Sequence, residues 1–278
     1  MNAVQIAVLG VIAGITIFLG LPIGRLKRPS FTLRSILNAI TVGVLIFLLW
    51  DVLTHAVEPV EAALTAAALD RTRSWWPFIG LLTVFFVAVA IGLVGLVFYD
   101  RWLAHSIAAR GISPRESRRE GVLRLGRPTS RLAFLIAVGI GLHNFSEGLA
   151  IGQSAAAGQI SLALVLVIGF GLHNATEGFG ITAPLAGDGE RPSWAQLAIL
   201  GIIGGGPTLI GTLLGTIFVN EVVSILFLAL AAGSILYVVV QLLGVAIKFA
   251  RPFSLYGGLL IGLFAGFATD FIVTAAGV

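Results

Sequence analysis

The chain of 278 residues is 58% hydrophobic and only 11% charged, against about 25% charged in soluble domains; this excludes a soluble globular fold and points to an integral membrane protein. With no Cys at all, disulfides, thiolate metal sites and dithiol redox chemistry are excluded. The net charge of +4 comes from basic residues sorted by membrane side, as the spans show, so nucleic acid is not expected as a partner.

A membrane helix needs about 20 mostly apolar residues. Eight such runs follow one another at 3–23, 37–53, 77–99, 132–153, 160–185, 194–219, 222–247 and 255–273. Together they predict an all-α integral membrane protein, a single polytopic domain over 1–278. The first run has no positive charge before it and is followed by Arg25, Lys27 and Arg28, the reverse of a signal peptide, so it reads as an uncleaved span. Basic residues mark cytoplasmic connections. With the N-terminus outside, fifteen of the seventeen Lys and Arg fall in the connections after spans 1, 3, 5 and 7, and only Arg71 and Arg73 fall outside. Both termini are therefore expected outside the plasma (inner) membrane.

Along the chain, polar residues interrupt the apolar runs at a few places. Asn38 and Thr41 lie near the inner end of span 2. Asp51, His55 and Glu58 recur at i, i+4, i+7 at its outer end, on one helix face, and form a candidate entrance for cations as well as an ordinary solvated helix end. The Arg-rich stretch of about 100–130 is the one sizeable polar connection; it reads as an orientation signal with a short surface helix, and its lone His105 argues against metal sensing. An anionic-lipid contact is an alternative there.

Spans 4 and 5 carry the main signal. They read GIGLHNFSEGLAIG over 139–152 and GFGLHNATEGFGIT over 169–182, so L-H-N-x-x-E-G occurs twice, thirty residues apart. The short linker SAAAGQ makes the two helices antiparallel neighbours, and one motif on two antiparallel helices implies an inverted repeat about a midplane axis, a 3+2+3 arrangement of spans. His143 lies twelve residues past Arg131, about 18 Å along a helix, near the middle of a hydrocarbon core about 30 Å thick. His and Glu at i, i+4 share a face, so His143 with Glu147 and His173 with Glu177 form two facing clips. Asn144 and Asn174 stand about 100° round from the histidines. Two imidazoles, two carboxylates and two amide oxygens suit a divalent transition metal. One such ion also balances two carboxylates that are otherwise costly at the bilayer centre. The competing reading is a hydrogen-bonded network with protonated glutamates. Flanking Gly141, Gly148, Gly152, Gly171, Gly178 and Gly180 allow close helix approach.

Span 6 contains GGGPT over 204–208, which should loosen it beside the motif. Span 7 carries a polar stripe of Ser234, Tyr237 and Gln241. Span 8 has a G-x-x-x-G series at Gly258, Gly262 and Gly266, a packing face and a candidate dimer contact. Asp270, near its outer end, joins the candidate entrance.

The doubled H-N-x-x-E-G on spans 4 and 5, within eight spans and with a large inner connection after span 3, resembles the ZIP (Zrt/Irt-like) family of divalent-metal permeases over the whole chain. The resemblance implies a binuclear centre, transport of Zn2+, Fe2+ or similar ions toward the cytoplasm, and often a homodimer. By position, His143, Glu147, His173 and Glu177 match one metal site; Asn144, Asn174 and the bridging glutamates match the second. Two departures stand out. Ser146 and Thr176 occupy the places where many relatives have Pro before the motif Glu, and either hydroxyl is expected to bond back to the carbonyl four residues earlier. Gly206 stands where related bacterial permeases tend to carry a Glu, so the second site is expected to be weaker or vacant.

The expected function is alternating-access transport of divalent metal into the cytoplasm, zinc first, with iron, manganese and cadmium also accommodated by a mixed N/O site. The metal is cargo, and no cofactor is expected. An intramembrane metalloenzyme is the main alternative, but H-E-x-x-H is absent and the order H-x-x-x-E does not match di-iron E-x-x-H pairs. A metal-binding sensor without transport is the third reading, with no soluble signalling domain attached.

Overall fold

The computed structural model describes residues 1–26, 31–70, 72–109, 121–185, 191–217, 220–249 and 251–275. Its described elements are α1 (Ala3–Ile15), α2 (Ile17–Gly20), a 3-10 turn (Leu21–Arg25), α3 (Phe31–Leu69), α4 (Trp76–Ala109), α5 (Pro128–Ala156), α6 (Ile160–Thr182), α7 (Trp194–Gly215), α8 (Glu221–Phe249) and α9 (Pro252–Ala275). Among the described residues, eight helical stretches are long and apolar enough to cross a membrane, the first being the broken run Ala3–Arg25. Helix is the expected answer for a chain in lipid, because each backbone polar group must find its partner within the segment.

Helix ends follow local chemistry. Asn2 and Gln5 cap α1 reciprocally, each side-chain oxygen accepting the other's backbone N–H at 2.9 Å, the arrangement of a capping box. The Ser193 hydroxyl accepts from the backbone of Gln196 at the start of α7. Gly158, with φ of +77°, makes the left-handed step that turns α5 back into α6, a conformation that suits glycine. Past α3, Asp70 accepts from the backbone N–H and hydroxyl of Thr72 at 3.0 and 2.6 Å. Those bonds hold its carboxyl below the usual carboxylate range.

Two helices outrun their apolar stretches. The 39-residue α3, about 58 Å at helical rise, carries on through Asp51, His55 and Glu58. Its Ala-rich tail (AALTAAAL) favours helix strongly enough to tolerate Pro59 inside it. Likewise α4 continues through Asp100, Arg101 and His105 to Ala109, so the polar connection begins a helical segment later than composition alone indicates. Arg110, Arg115, Arg118 and Arg119 lie outside the described residues, as do Lys27, Arg28 and Arg71. Arg131 Nε reaches Asp100 Oδ1 at 2.9 Å and ties the end of α4 to the start of α5. Trp75 and Trp76 lie at one end of α4, and Tyr99 stacks on Trp102 at 5.8 Å near the other. These aromatics are spaced about one hydrocarbon thickness apart, as interfacial belts are.

Packing is by close backbone approach. α5 lies along α7, α1 against α6 and α7, α3 along α9 and α8, and α4 along α8. A Cβ on Gly14 would strike the Gly205 carbonyl, and one on Gly205 would strike that of Gly14, while one on Gly148 would strike Thr208 of α7. The glycines of α9 correct one expectation. Gly258 lies on Ala39, Gly262 on the Ile40–Val44 backbone and Gly266 on Phe47, so this series is covered by α3 of the same chain and is not free for a second copy. The buried core, including Ile17, Ile136, Ile140, Ile181, Leu200, Ile235 and Leu242, surrounds the level of the doubled motif.

Candidate metal centre

His143 and Glu147 lie one turn apart on α5, with Nε2 and Oε1 2.9 Å apart. The contact is not aligned as a hydrogen bond and is electrostatic. From α6, His173 Nε2 lies 2.5 Å from the same Glu147 Oε1, and Glu177 Oε1 lies 4.0 Å from His143 Nε2. One carboxylate oxygen thus sits between two imidazoles from antiparallel helices. Ligand atoms of His143, His173 and Glu177 all fall within 4.8 Å of one another. Bonds of about 2.1 Å span roughly 4 Å across a metal, so a small side-chain closure brings these atoms onto one ion.

The asparagines are held differently. Asn144 Nδ2 donates to Gly204 O of α7 at 3.0 Å and to Glu177 Oε2 at 3.3 Å. Asn174 Nδ2 donates to Ala13 O of α1 at 3.1 Å. Both amides therefore turn their NH2 toward a helix backbone. Ala13 O is available because α1 gives way at Thr16, whose hydroxyl also bonds it at 2.6 Å; Gly204 lies three residues before Pro207 within α7.

That orientation leaves oxygens facing inward with no protein donor. Asn144 Oδ1, Asn174 Oδ1, Glu147 Oε2 and Glu177 Oε1 are all buried and accept no hydrogen bond. Asn144, Asn174 and Glu177 are 0% exposed. Each unsatisfied acceptor costs about 1–3 kcal/mol, a cost that a bound cation would offset for any oxygen it touches.

Other sequence candidates fall as follows. Asp51 is half-buried on α3 and lies 3.5 Å from His55 Nδ1. It is within electrostatic reach of Asp270 from α9 and of His143 and His173. Glu58 stands exposed about two turns further on. Neither expected back-bond to a carbonyl four residues earlier forms. The Ser146 hydroxyl leaves its helix for Phe227 O of α8 at 3.0 Å, and Thr176 bonds His173 O, three residues back, at 2.7 Å. Thr41 of α3 then bonds Thr176 O at 2.9 Å, a contact between α3 and α6 that the sequence did not signal. Ser234 bonds within its own helix to Ala231 O. A Cβ at Gly206 would meet only Ile202 of its own helix, so this position leaves open space and no ligand. The backbone carbonyls of Ala13 and Gly204 were not readable as functional groups; only the GGGP stretch hinted at the second.

The family model described as ZIP Zinc transporter matches residues 115–274. A curated relative, "Zinc transporter ZupT" of Escherichia coli O7:K1 (strain IAI39 / ExPEC), is 31% identical over 231 residues, covering 81% of this chain and 80% of its own length. The protein of the same description from Escherichia coli O1:K1 / APEC is 28% identical over 144 residues, 51% of this chain and 47% of its own length.

Proposed function

The chain belongs to the ZIP zinc transporter family and carries divalent metal ions across a membrane, and from that premise we propose that the ion is held midway by His143, Glu147, His173 and Glu177. Zinc is the proposed cargo, on the description of the relatives, with Fe2+, Mn2+ and Cd2+ compatible with the same mixed N/O donors. The observation that carries this reading is the set of four buried, unsatisfied oxygens on the doubled motif. Asn144 and Asn174 offer their Oδ1 atoms to a second, weaker position that shares the glutamates. Asp51, His55 and Asp270 form the proposed outer entrance, with Glu58 at its rim.

Transport proceeds by alternating access toward the cytoplasm, with both termini outside. Support comes from the break after α1 at Thr16 and the proline inside α7 at Pro207, each helix being gripped by one motif asparagine. The neighbour pairing also repeats: α5 against α7 answers α6 against α1, and α4 against α8 answers α9 against α3. That matching is what an inverted 3+2+3 repeat produces. A homodimer is proposed on family resemblance, through faces other than the glycine series of α9.

Uptake of radiolabelled zinc into liposomes holding the purified chain tests the reading. Wild type should fill the vesicles, and the Glu147→Ala, Glu177→Ala double variant should fall to the empty-vesicle level. Unchanged uptake by that variant would overturn the assignment.

A further inference from the structure

Among the described residues, four threonines are buried: Thr41, Thr182, Thr208 and Thr212. Three of them do what a buried helical threonine ordinarily does and donate to a carbonyl one turn earlier. Thr41 bonds Leu37 O at 3.0 Å, Thr182 bonds Gly178 O at 3.3 Å, and Thr212 bonds Thr208 O at 2.8 Å. Thr208 is the exception: it is 0% exposed, and its hydroxyl oxygen has no hydrogen-bond partner. The carbonyl one turn back is that of Gly204, which already accepts from Asn144 Nδ2 at 3.0 Å.

The surroundings of Thr208 explain why this hydroxyl matters. Its backbone faces Gly148, one turn beyond Asn144 on α5, and its Cβ faces Gly14 of α1. Gly14 follows Ala13, whose carbonyl holds Asn174. Thr208 is therefore wedged where α1, α5 and α7 meet, a turn from the contacts that orient both asparagines. Packing alone would favour valine here, since valine has the same shape and brings no polar group needing a partner. This hydroxyl is a buried group with no protein partner, one turn from the contacts that hold Asn144 and Asn174.

We propose that Thr208 is a binding group for the transported metal ion. Its oxygen joins Asn144 Oδ1 and Asn174 Oδ1 at the second position, either on the ion or on a water the ion carries. Because Gly206 supplies no acid, that position is built from neutral oxygens plus the shared glutamates. Such a set binds a partly hydrated divalent ion weakly enough to pass it on. The inference rests on the midplane site proposed above.

Liposome uptake of zinc by Thr208→Val and Thr208→Ser, with thermal unfolding of each in detergent, tests it. Thr208→Val should be at least as heat-stable as wild type without metal, yet show about tenfold weaker half-saturation for uptake and a smaller zinc-induced rise in melting temperature. Thr208→Ser should restore both. If Thr208→Val does not fold, Thr208→Ala read against Thr208→Ser takes its place. Uptake and zinc stabilisation at wild-type level in the hydroxyl-free variant would overturn the proposal. Loss of uptake in the Glu147→Ala, Glu177→Ala variant alongside that result would leave the midplane site standing and remove only Thr208; retained uptake in both would remove the site itself.

Discussion

At Asn144 and Asn174 one side chain does two things at once. Each amide NH2 grips a helix carbonyl, and each amide oxygen is thereby aimed away from the backbone. Changing Asn174 to Asp replaces the donor with a second acceptor facing Ala13 O. Without metal this should destabilise the protein by about 1–3 kcal/mol, read as a lower melting temperature. Zinc should recover part of that loss, since the second position gains a negative charge. The same residues set the expected stoichiometry. With Gly206 contributing no carboxylate, anomalous scattering from zinc-soaked crystals should show one strong peak per chain, at His143, Glu147, His173 and Glu177; two equal peaks would contradict this. The His–Glu clips were legible in the sequence because i, i+4 spacing places both groups on one helix face. The asparagine orientation was not legible, because its partners lie 60 and 161 residues away.

Helices α1, α5, α6 and α7 come together through glycine, and the contact is unforgiving where the neighbour is backbone. Gly148→Ala would drive a methyl into the Thr208 carbonyl of α7 and should cost about 1–3 kcal/mol through strain, with loss of uptake because α7 carries Gly204 and Thr208. Gly80 of α4, by contrast, has nothing within 4 Å of an added Cβ. Gly80→Ala should stabilise by up to about 1 kcal/mol from helix propensity alone. The opposite signs are measurable in parallel by thermal unfolding in detergent. Hydropathy and motif spacing indicated that these helices are glycine-rich for packing; they did not indicate which glycine meets which helix. The series on α9 shows the difference: Gly258, Gly262 and Gly266 look like a free dimer face in sequence, and α3 covers them.

Across the whole molecule, eight spans and the sidedness of basic residues make a directional claim that the Cys-free chain renders simple to test. Ala157→Cys, in the turn between α5 and α6, and Ala108→Cys, near the end of α4, are both at exposed positions. In intact cells a membrane-impermeant maleimide should label the first and leave the second until the cells are permeabilised. Labelling in the reverse order would place the termini inside and invert the proposed direction of transport. The ion pair of Arg131 with Asp100 lies on the side expected to face the cytoplasm, where the Arg-rich connection begins.

The sequence by itself determined that this is a membrane protein with eight helical runs long enough to span and a doubled His-Asn-Glu motif inside two of them. Those features depend on composition and on periodicities of a few residues, which bilayer thickness and helical pitch convert directly into structure. Only the tertiary structure decided which oxygens are left unsatisfied, which carbonyls of α1 and α7 hold the asparagines, and that Thr208 has no partner. Each of these depends on contacts between helices distant in the chain. No local pattern records a close approach that two backbones make only when the whole bundle is packed.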